Sequence, residues 1–166
     1  VPAVADNTSI WLVGVDSTNA WAYDSSQKAF TTLGSGLTKE VNTQTITPCD
    51  PGTDIVASAK IRWSGIPSGS NGFGMQIIWY LGQTEVSPRT TINIAAGHGS
   101  SSAGTDFVEI RNDALTVPQN VDGFKVGAYV NGGLVSGQVW IKDLSLQISG
   151  KIEQDDGAVD NLATLS

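Results

Sequence analysis

A strict alternation of apolar and polar side chains, repeated in several short runs, restricts this chain more than any other feature. In Ile55-Val56-Ala57-Ser58-Ala59-Lys60-Ile61-Arg62-Trp63, the residues Ile55, Ala57, Ala59, Ile61 and Trp63 fall on one side and Ser58, Lys60 and Arg62 on the other. A period of two belongs to a strand with one face buried and one in water. Phe73 to Leu81 places Phe73, Met75, Ile77, Trp79 and Leu81 inward, with Gln76, Ile78 and Tyr80 opposite. Phe124 to Asn131 places Phe124, Val126, Ala128 and Val130 inward, with Lys125, Tyr129 and Asn131 outward. In Val139 to Ile148 the apolar phase slips by one residue around Asp143, which predicts a β-bulge.

Weaker strands are expected at 10–15, 20–23, 37–47, 90–96, 106–111 and 114–117, and turns at Pro48 to Gly52, Pro67 to Gly72, Gly97 to Gly104, Val121 to Gly123 and Gly132-Gly133. No helical stretch interrupts them, so the expected fold is all-β: an antiparallel β-sandwich of the jelly-roll kind. With 166 residues and 40% hydrophobic content there is material for one core. We expect it in residues 1–150, with 151–166 a linker or the start of a next segment.

Charge excludes several partners. Only 15% of residues are charged, and 16 acidic against 9 basic side chains leave a net charge of −7. That field repels nucleic acid and anionic membrane surfaces. No apolar run approaches the roughly 18 residues of a membrane span. The surface must therefore consist largely of hydroxyls, amides and glycine.

Catalytic patterns are absent. His98 is the only histidine, in a Gly- and Ser-rich loop, and Cys49 has no histidine near it in a Pro-rich turn. A glycosidase needs two carboxylates about 5 to 10 Å apart. Asp106 and Glu109, three apart on a strand, point to opposite faces. The chain is read as no enzyme. No His/Cys cluster suits zinc, so the cofactor expectation is none, with structural calcium admitted through loop oxygens such as Asp6, Asn7, Asp16 or Asp143.

The positive signal is the outward face of the strands. Arg62, Gln76, Tyr80, Asn93, Arg111, Tyr129, Asn131 and Trp140 mix rings with amides and guanidinium groups. Sugars are gripped by this mixture: apolar ring faces stack on aromatics while hydroxyls bond planar polar groups. Outward aromatics also strengthen cross-strand pairs, so the residues alone leave both readings open.

At Gly137-Gln138-Val139-Trp140-Ile141-Lys142-Asp143-Leu144-Ser145-Leu146-Gln147-Ile148 the chain resembles the last strand of carbohydrate-binding modules of the cellulose- and xylan-binding jelly-roll type. Pro51-Gly52 followed by Asp54 to Trp63 is similar to their strand after a Pro-Gly turn, and Phe124 to Val130 to their penultimate strand. The family's Asn-Gly-x-Phe-Glu opening is not found, and Asp143 is the one position matching its calcium site. Phage tail proteins of Gram-positive hosts carry inserted modules of this kind, and the Ser/Thr/Asn/Gly-rich loops are similar to such insertions.

The resemblance implies non-catalytic binding of a polysaccharide or oligosaccharide, adhesion to a cell-surface or cell-wall polymer, attachment to a larger polypeptide and an extracellular or virion-surface location. It also implies a ligand-bearing sheet built from strands near 54–64, 90–95, 105–111 and 123–131, displaying Lys60, Arg62, Asn93, Glu109, Arg111, Tyr129 and Asn131. Strands near 38–47, 72–82 and 138–148 would form the other sheet, showing Gln76, Tyr80 and Trp140. Trp11, Trp63 and Trp79 are expected in the core, and Trp21 with Tyr23 at one end of the groove. The alternative is a structural jelly roll of a virion or fibre that makes protein contacts.

Overall fold

A computed structural model describes residues 21–43, 45–67, 72–94 and 107–148, with the side chains of 93 and 94 left out of the description. The expected strand at 10–15, Trp11, His98, Asp6, Asn7, Asp16, Asp106 and the 151–166 segment lie outside the described residues. Among the described residues there are ten strands: β1 (Ala22–Asp24), β2 (Ala29–Leu33), β3 (Lys39–Asn42), β4 (Thr47–Pro48), β5 (Asp54–Ser64), β6 (Phe73–Leu81), β7 (Thr84–Ile94), β8 (Val108–Thr116), β9 (Gly123–Val130) and β10 (Gln138–Ile148). All pairings are antiparallel. One sheet runs β1-β2-β10-β5-β8 and the other β3-β9-β6-β7, with β4 also on β9. From β4 onward the chain alternates between sheets, broken only by the β6–β7 hairpin, which is the jelly-roll course.

The inward rows are those that the alternation predicts. Ile55, Ala57, Ala59 and Ile61 of β5 face the core beside Val139, Ile141, Leu144 and Leu146 of β10. Phe73, Met75, Ile77 and Trp79 of β6 meet them from the second sheet with Phe124, Val126, Ala128 and Val130 of β9. Trp63 packs edge-on against Phe73 at 5.7 Å, and Trp79 against Phe124 at 6.5 Å. Burying such rings and branched chains contributes about 1.5–3 kcal/mol each before chain entropy is subtracted. Leu81, expected inside, is 53% exposed because β6 runs past the core into its hairpin. The bulge expected at Asp143 is present: the β10–β5 register shifts between Lys142 and Ser145, and Asp143 has φ 53°.

The expected sheet partition holds for 54–64 with 105–111 and for 38–47 with 72–82, and is overturned for the other three strands. Strands 123–130 and 84–94 join 73–81 and 39–42, whereas 138–148 lies between β2 and β5. Two local causes explain this. Gly82-Gln83 forms a two-residue hairpin, Gly82 taking φ 64°, so β7 must lie beside β6. Ala29–Leu33, not expected as a strand, supplies the second edge that β10 needs.

Lys39 joins the two sheets at one margin. It sits across from Val130 on the inward side of β3, and its ammonium donates to Thr32 Oγ1 (3.3 Å) and to the Leu33 carbonyl, both on β2. Burial lowers its pKa.

Candidate functional site

The structure divides the expected site residues between two opposite outer faces. Lys60, Arg62, Glu109, Arg111 and Trp140 stand outside the β1-β2-β10-β5-β8 sheet, together with Asp143. Tyr80 and Tyr129 belong to the outside of the other sheet, and Asn93 has its backbone there opposite Gly74. Of the groups expected on one sheet, Lys60, Arg62, Glu109 and Arg111 do share a face, whereas Tyr129 and Asn93 lie on the other sheet with Tyr80, and Trp140, expected beside Tyr80, stands instead beside Arg62. Asn131 belongs to neither face: its carbonyl accepts from Leu134 N (2.9 Å) and its side chain from Gly133 N (3.2 Å), closing the turn before β10.

On the first face the polar groups hold one another. Arg62 lies 4.1 Å above the Trp140 ring, and its Nη1 donates to Gln27 Oε1 at 3.1 Å. The β1–β2 turn closes over this stack. Asp24 Oδ1 accepts from the Ser26 hydroxyl (2.7 Å) and amide (3.0 Å) and from Gln27 N (3.2 Å). The Ser26 hydroxyl bond is the largest cause of the lowered Asp24 pKa, and an indole bond from Trp140 adds to it. Trp140 is consequently only 8% exposed and offers no platform for a sugar ring. Lys60 lies 3.8 Å from Asp143, Arg111 3.5 Å from Asp113, and Lys142 over the Phe107 ring at 4.2 Å. Among the described residues no group of three or more His, Cys, Asp or Glu side chains is placed to hold a metal ion.

The second face carries a closed ring of side chains. Rows Glu40–Tyr129–Gly74 and Asn42–Gly127–Gln76 run across β3, β9 and β6. Period-two geometry puts all six residues on the outer surface. Three residues of β7, Ser87, Pro88 and Arg89, stand opposite the single Ile78, because the register jumps from Ile77↔Thr90 to Trp79↔Val86. This bulge delivers Arg89 over the sheet. Arg89 Nη1 donates to Glu40 Oε2 (2.6 Å) and Gln76 Oε1 (3.3 Å). Gln76 Nε2 donates to Asn42 Oδ1 (3.0 Å), and Asn42 Nδ2 to Glu40 Oε1 (3.0 Å), which completes the circuit.

Glycine makes room for it. A Cβ on Gly127 would stand 1.8 Å from Asn42 Oδ1, so the ring spans β9 only where β9 has no side chain. Glu85 grips Arg89 bidentately at 2.8 and 3.2 Å. Tyr80, half-buried two rows beyond Gln76, has the Lys125 ammonium 5.5 Å from its ring. Burial, then the Glu85 charge, pushes the Tyr80 phenol pKa up, which keeps it a neutral donor. Tyr129, at 9% exposure, and Gln76, at 3%, form the floor.

This geometry fixes chemistry in two respects. The circuit dictates which way each amide points, so the pattern of donors and acceptors is set before any ligand arrives. It also takes Glu85 out of acid–base work. A general acid needs a raised pKa, but the Arg89 bonds lower that of Glu85 and keep Arg89 charged. The Cys49 thiol is pushed up to about 11 by burial and by Asp122 and Asp50, so it is no nucleophile near neutrality. Arg89, Glu40, Asn42 and Glu85 were not singled out by sequence reasoning. The available signal was Thr84–Ile94 as one long strand with a proline inside, since proline within a strand marks an edge or a bulge.

No protein-family model matches the chain, and no curated protein sequence matches it. Solved structures align with it at low identity. The enzymatically active domain of bacteriophage CBA120 tailspike protein 4 aligns over 89% of this chain and 20% of its own, at 14% identity and TM-score 0.53. The likeness is one of fold. A Family 16 Carbohydrate Binding Module-2 aligns over 71% of this chain and 74% of its own (9% identity, TM-score 0.48). The Clostridium thermocellum xylanase 10B modules, in complex with xylohexaose, align over 74% of this chain and 22% of their own (13%, 0.49). The chain thus spans about a fifth of the tailspike and xylanase chains.

Proposed function

We propose that the chain is a non-catalytic carbohydrate-binding module and that its site is the outer face of the β3-β9-β6-β7 sheet. The observation that carries this reading is the closed Arg89–Glu40–Asn42–Gln76 ring, with Tyr129 in the same floor and Tyr80 farther along it. Each sugar hydroxyl both donates and accepts. A row of amide, carboxylate and guanidinium groups held in one orientation matches such a ligand without reorganising. From the Gly74 row to Tyr80 is six residues of strand, roughly 20 Å. That length takes a short oligosaccharide lying along β6. Each sugar–protein bond replaces one to water, so affinity for a short glycan falls at about 10–1,000 µM. Several copies on one particle raise the effective affinity by about a hundredfold. We assign the module to adhesion at a cell-surface or cell-wall polysaccharide, as part of a larger polypeptide such as a phage tail protein or secreted enzyme.

The test is affinity electrophoresis of the protein and of Tyr129→Ala and Gln76→Leu through gels holding cellulose derivatives, xylan, galactan or bacterial wall polysaccharide. Retardation in at least one gel, lost in folded variants, supports the reading; free migration in all of them refutes it.

A second reading is a structural jelly roll that contacts another protein. It is favoured by Leu33, Leu37 and Val135, exposed at 58, 50 and 61% around two loops joined by Gly36 N→Leu134 O and Gly34 N→Gly137 O. A stable trimer or hexamer in sedimentation would support it.

A further inference from the structure

At one end of the sandwich, away from the ring, an open cavity of about 160 Å³ lies between the sheets. Its walls come from β4 and β9 on one side and β5 and β10 on the other, and Ile55, Val117, Phe124 and Leu146 line it together with Cys49. The bounding loops are anchored: Cys49 N donates to Asp122 O (3.0 Å), Gly52 N to Val117 O (2.9 Å), and Val117 N to Thr53 O (2.9 Å). The walls are thus tied by backbone bonds. The lining is mainly apolar, with Asp50, Thr53 and Gln147 as its polar residues, and its volume suits a hydrocarbon group about as large as benzene.

The rim adds a sign. Asp50 is the only charged residue on the cavity's lining among the described residues. Asp122, whose backbone carbonyl is bonded to Cys49 N, adds a second negative charge at the same end. After burial itself, Asp122 and Asp50 push up the pKa of Cys49, another lining residue. A cation at the mouth would be attracted and an anion repelled.

We propose that this cavity is a binding site for a compact hydrocarbon group carrying an amine, the hydrocarbon seated among Ile55, Val117 and Phe124 and the ammonium beside Asp50. The site stands apart from the glycan face and does not rest on that reading. Benzylamine, benzyl alcohol and benzoate serve as probes of equal shape and different charge. Methyl NMR of the whole chain should show benzylamine shifting the Ile55, Val117 and Leu146 resonances, with an affinity of about millimolar order. Benzylamine should bind about fivefold tighter than benzoate, and Asp50→Asn should remove most of that preference. Val117→Phe fills the cavity, and if its spectrum is folded it should bind no probe. Independently of that variant, benzylamine should slow alkylation of Cys49 in the unaltered protein, and Arg89→Met should leave all of this unchanged. Absence of methyl shifts and of Cys49 protection at about 20 mM benzylamine overturns the site. Equal binding of benzylamine and benzoate overturns its cationic preference.

Discussion

Replacing Arg89 with methionine, beside the same change at Arg62, separates the two faces of the sandwich. Arg89 makes four hydrogen bonds: two to Glu85, one to Glu40 and one to Gln76. The three ionised side chains are each roughly one-third exposed, which places the pairs between surface and buried behaviour. Exposed pairs contribute about 0.2–1 kcal/mol each, and bidentate geometry puts these near the upper end. Gln76, buried, also loses an acceptor bond, while methionine keeps the hydrocarbon stem. The sum is about 1–2 kcal/mol, or a fall in Tm of about 3–6 °C for a chain of this size. Arg62→Met removes the stack on Trp140 and the bond to Gln27. Cation–π contact and one hydrogen bond together also amount to about 1–2 kcal/mol. The two variants are therefore matched in stability and differ in face. In a polysaccharide gel that retards the parent protein, Arg89→Met should lose at least about tenfold in affinity, and Arg62→Met should run as the parent does. If Arg62→Met lost retardation while Arg89→Met kept it, placing the glycan on the ring-bearing sheet would be wrong.

Acid should weaken the ring in a defined direction. The folded pKa of Glu85 is depressed by Arg89, so its contribution is fully present above the ordinary glutamate range near pH 4 and is lost as pH falls through the folded value. Retardation should accordingly hold from pH 7 to about pH 5 and fade below about pH 4; loss of binding on going from pH 5 to pH 7 would contradict this. Cys49, whose thiol pKa burial pushes up to about 11, should react with iodoacetamide about tenfold more slowly than a small thiol at neutral pH, because the smaller thiolate fraction is partly offset by the greater nucleophilicity of the thiolate. Gly127→Ala should cost about 1–3 kcal/mol in urea unfolding, because its methyl meets the Val41 carbonyl at 2.3 Å as well as the Asn42 side chain. Leu144→Ala, at a fully buried β10 position, should cost about 2–5 kcal/mol and leave glycan retardation intact.

The core was legible wherever one face of a strand is dry and the other wet. Ile55 to Trp63 and Phe124 to Val130 announce their inward rows because alternation is a local property, and the phase slip at Asp143 announced its bulge for the same reason. Sheet membership was legible only in part. Whether β10 pairs β5 or β6 depends on register between segments about eighty residues apart, and the decisive cues were short: Gly82-Gln83 as a hairpin and Ala29–Leu33 as an edge. The candidate site was half legible. Gln76, Tyr80 and Tyr129 stand outward by parity, but Arg89 reaches the face through a bulge, where parity no longer applies. Trp140 also points outward by parity, yet the β1–β2 turn closes over it, which a count along one strand cannot reveal.

The interruption at Ser87–Arg89 also shapes how the molecule behaves among its own kind. Among the described residues β7 is the outermost strand of its sheet, and there the chain sets three residues, one of them a proline without an N–H, against a single residue of β6. A strand approaching from a neighbouring molecule finds no continuous row of donors and acceptors to copy. Copies of this chain at high local concentration are therefore discouraged from joining edge to edge at this margin.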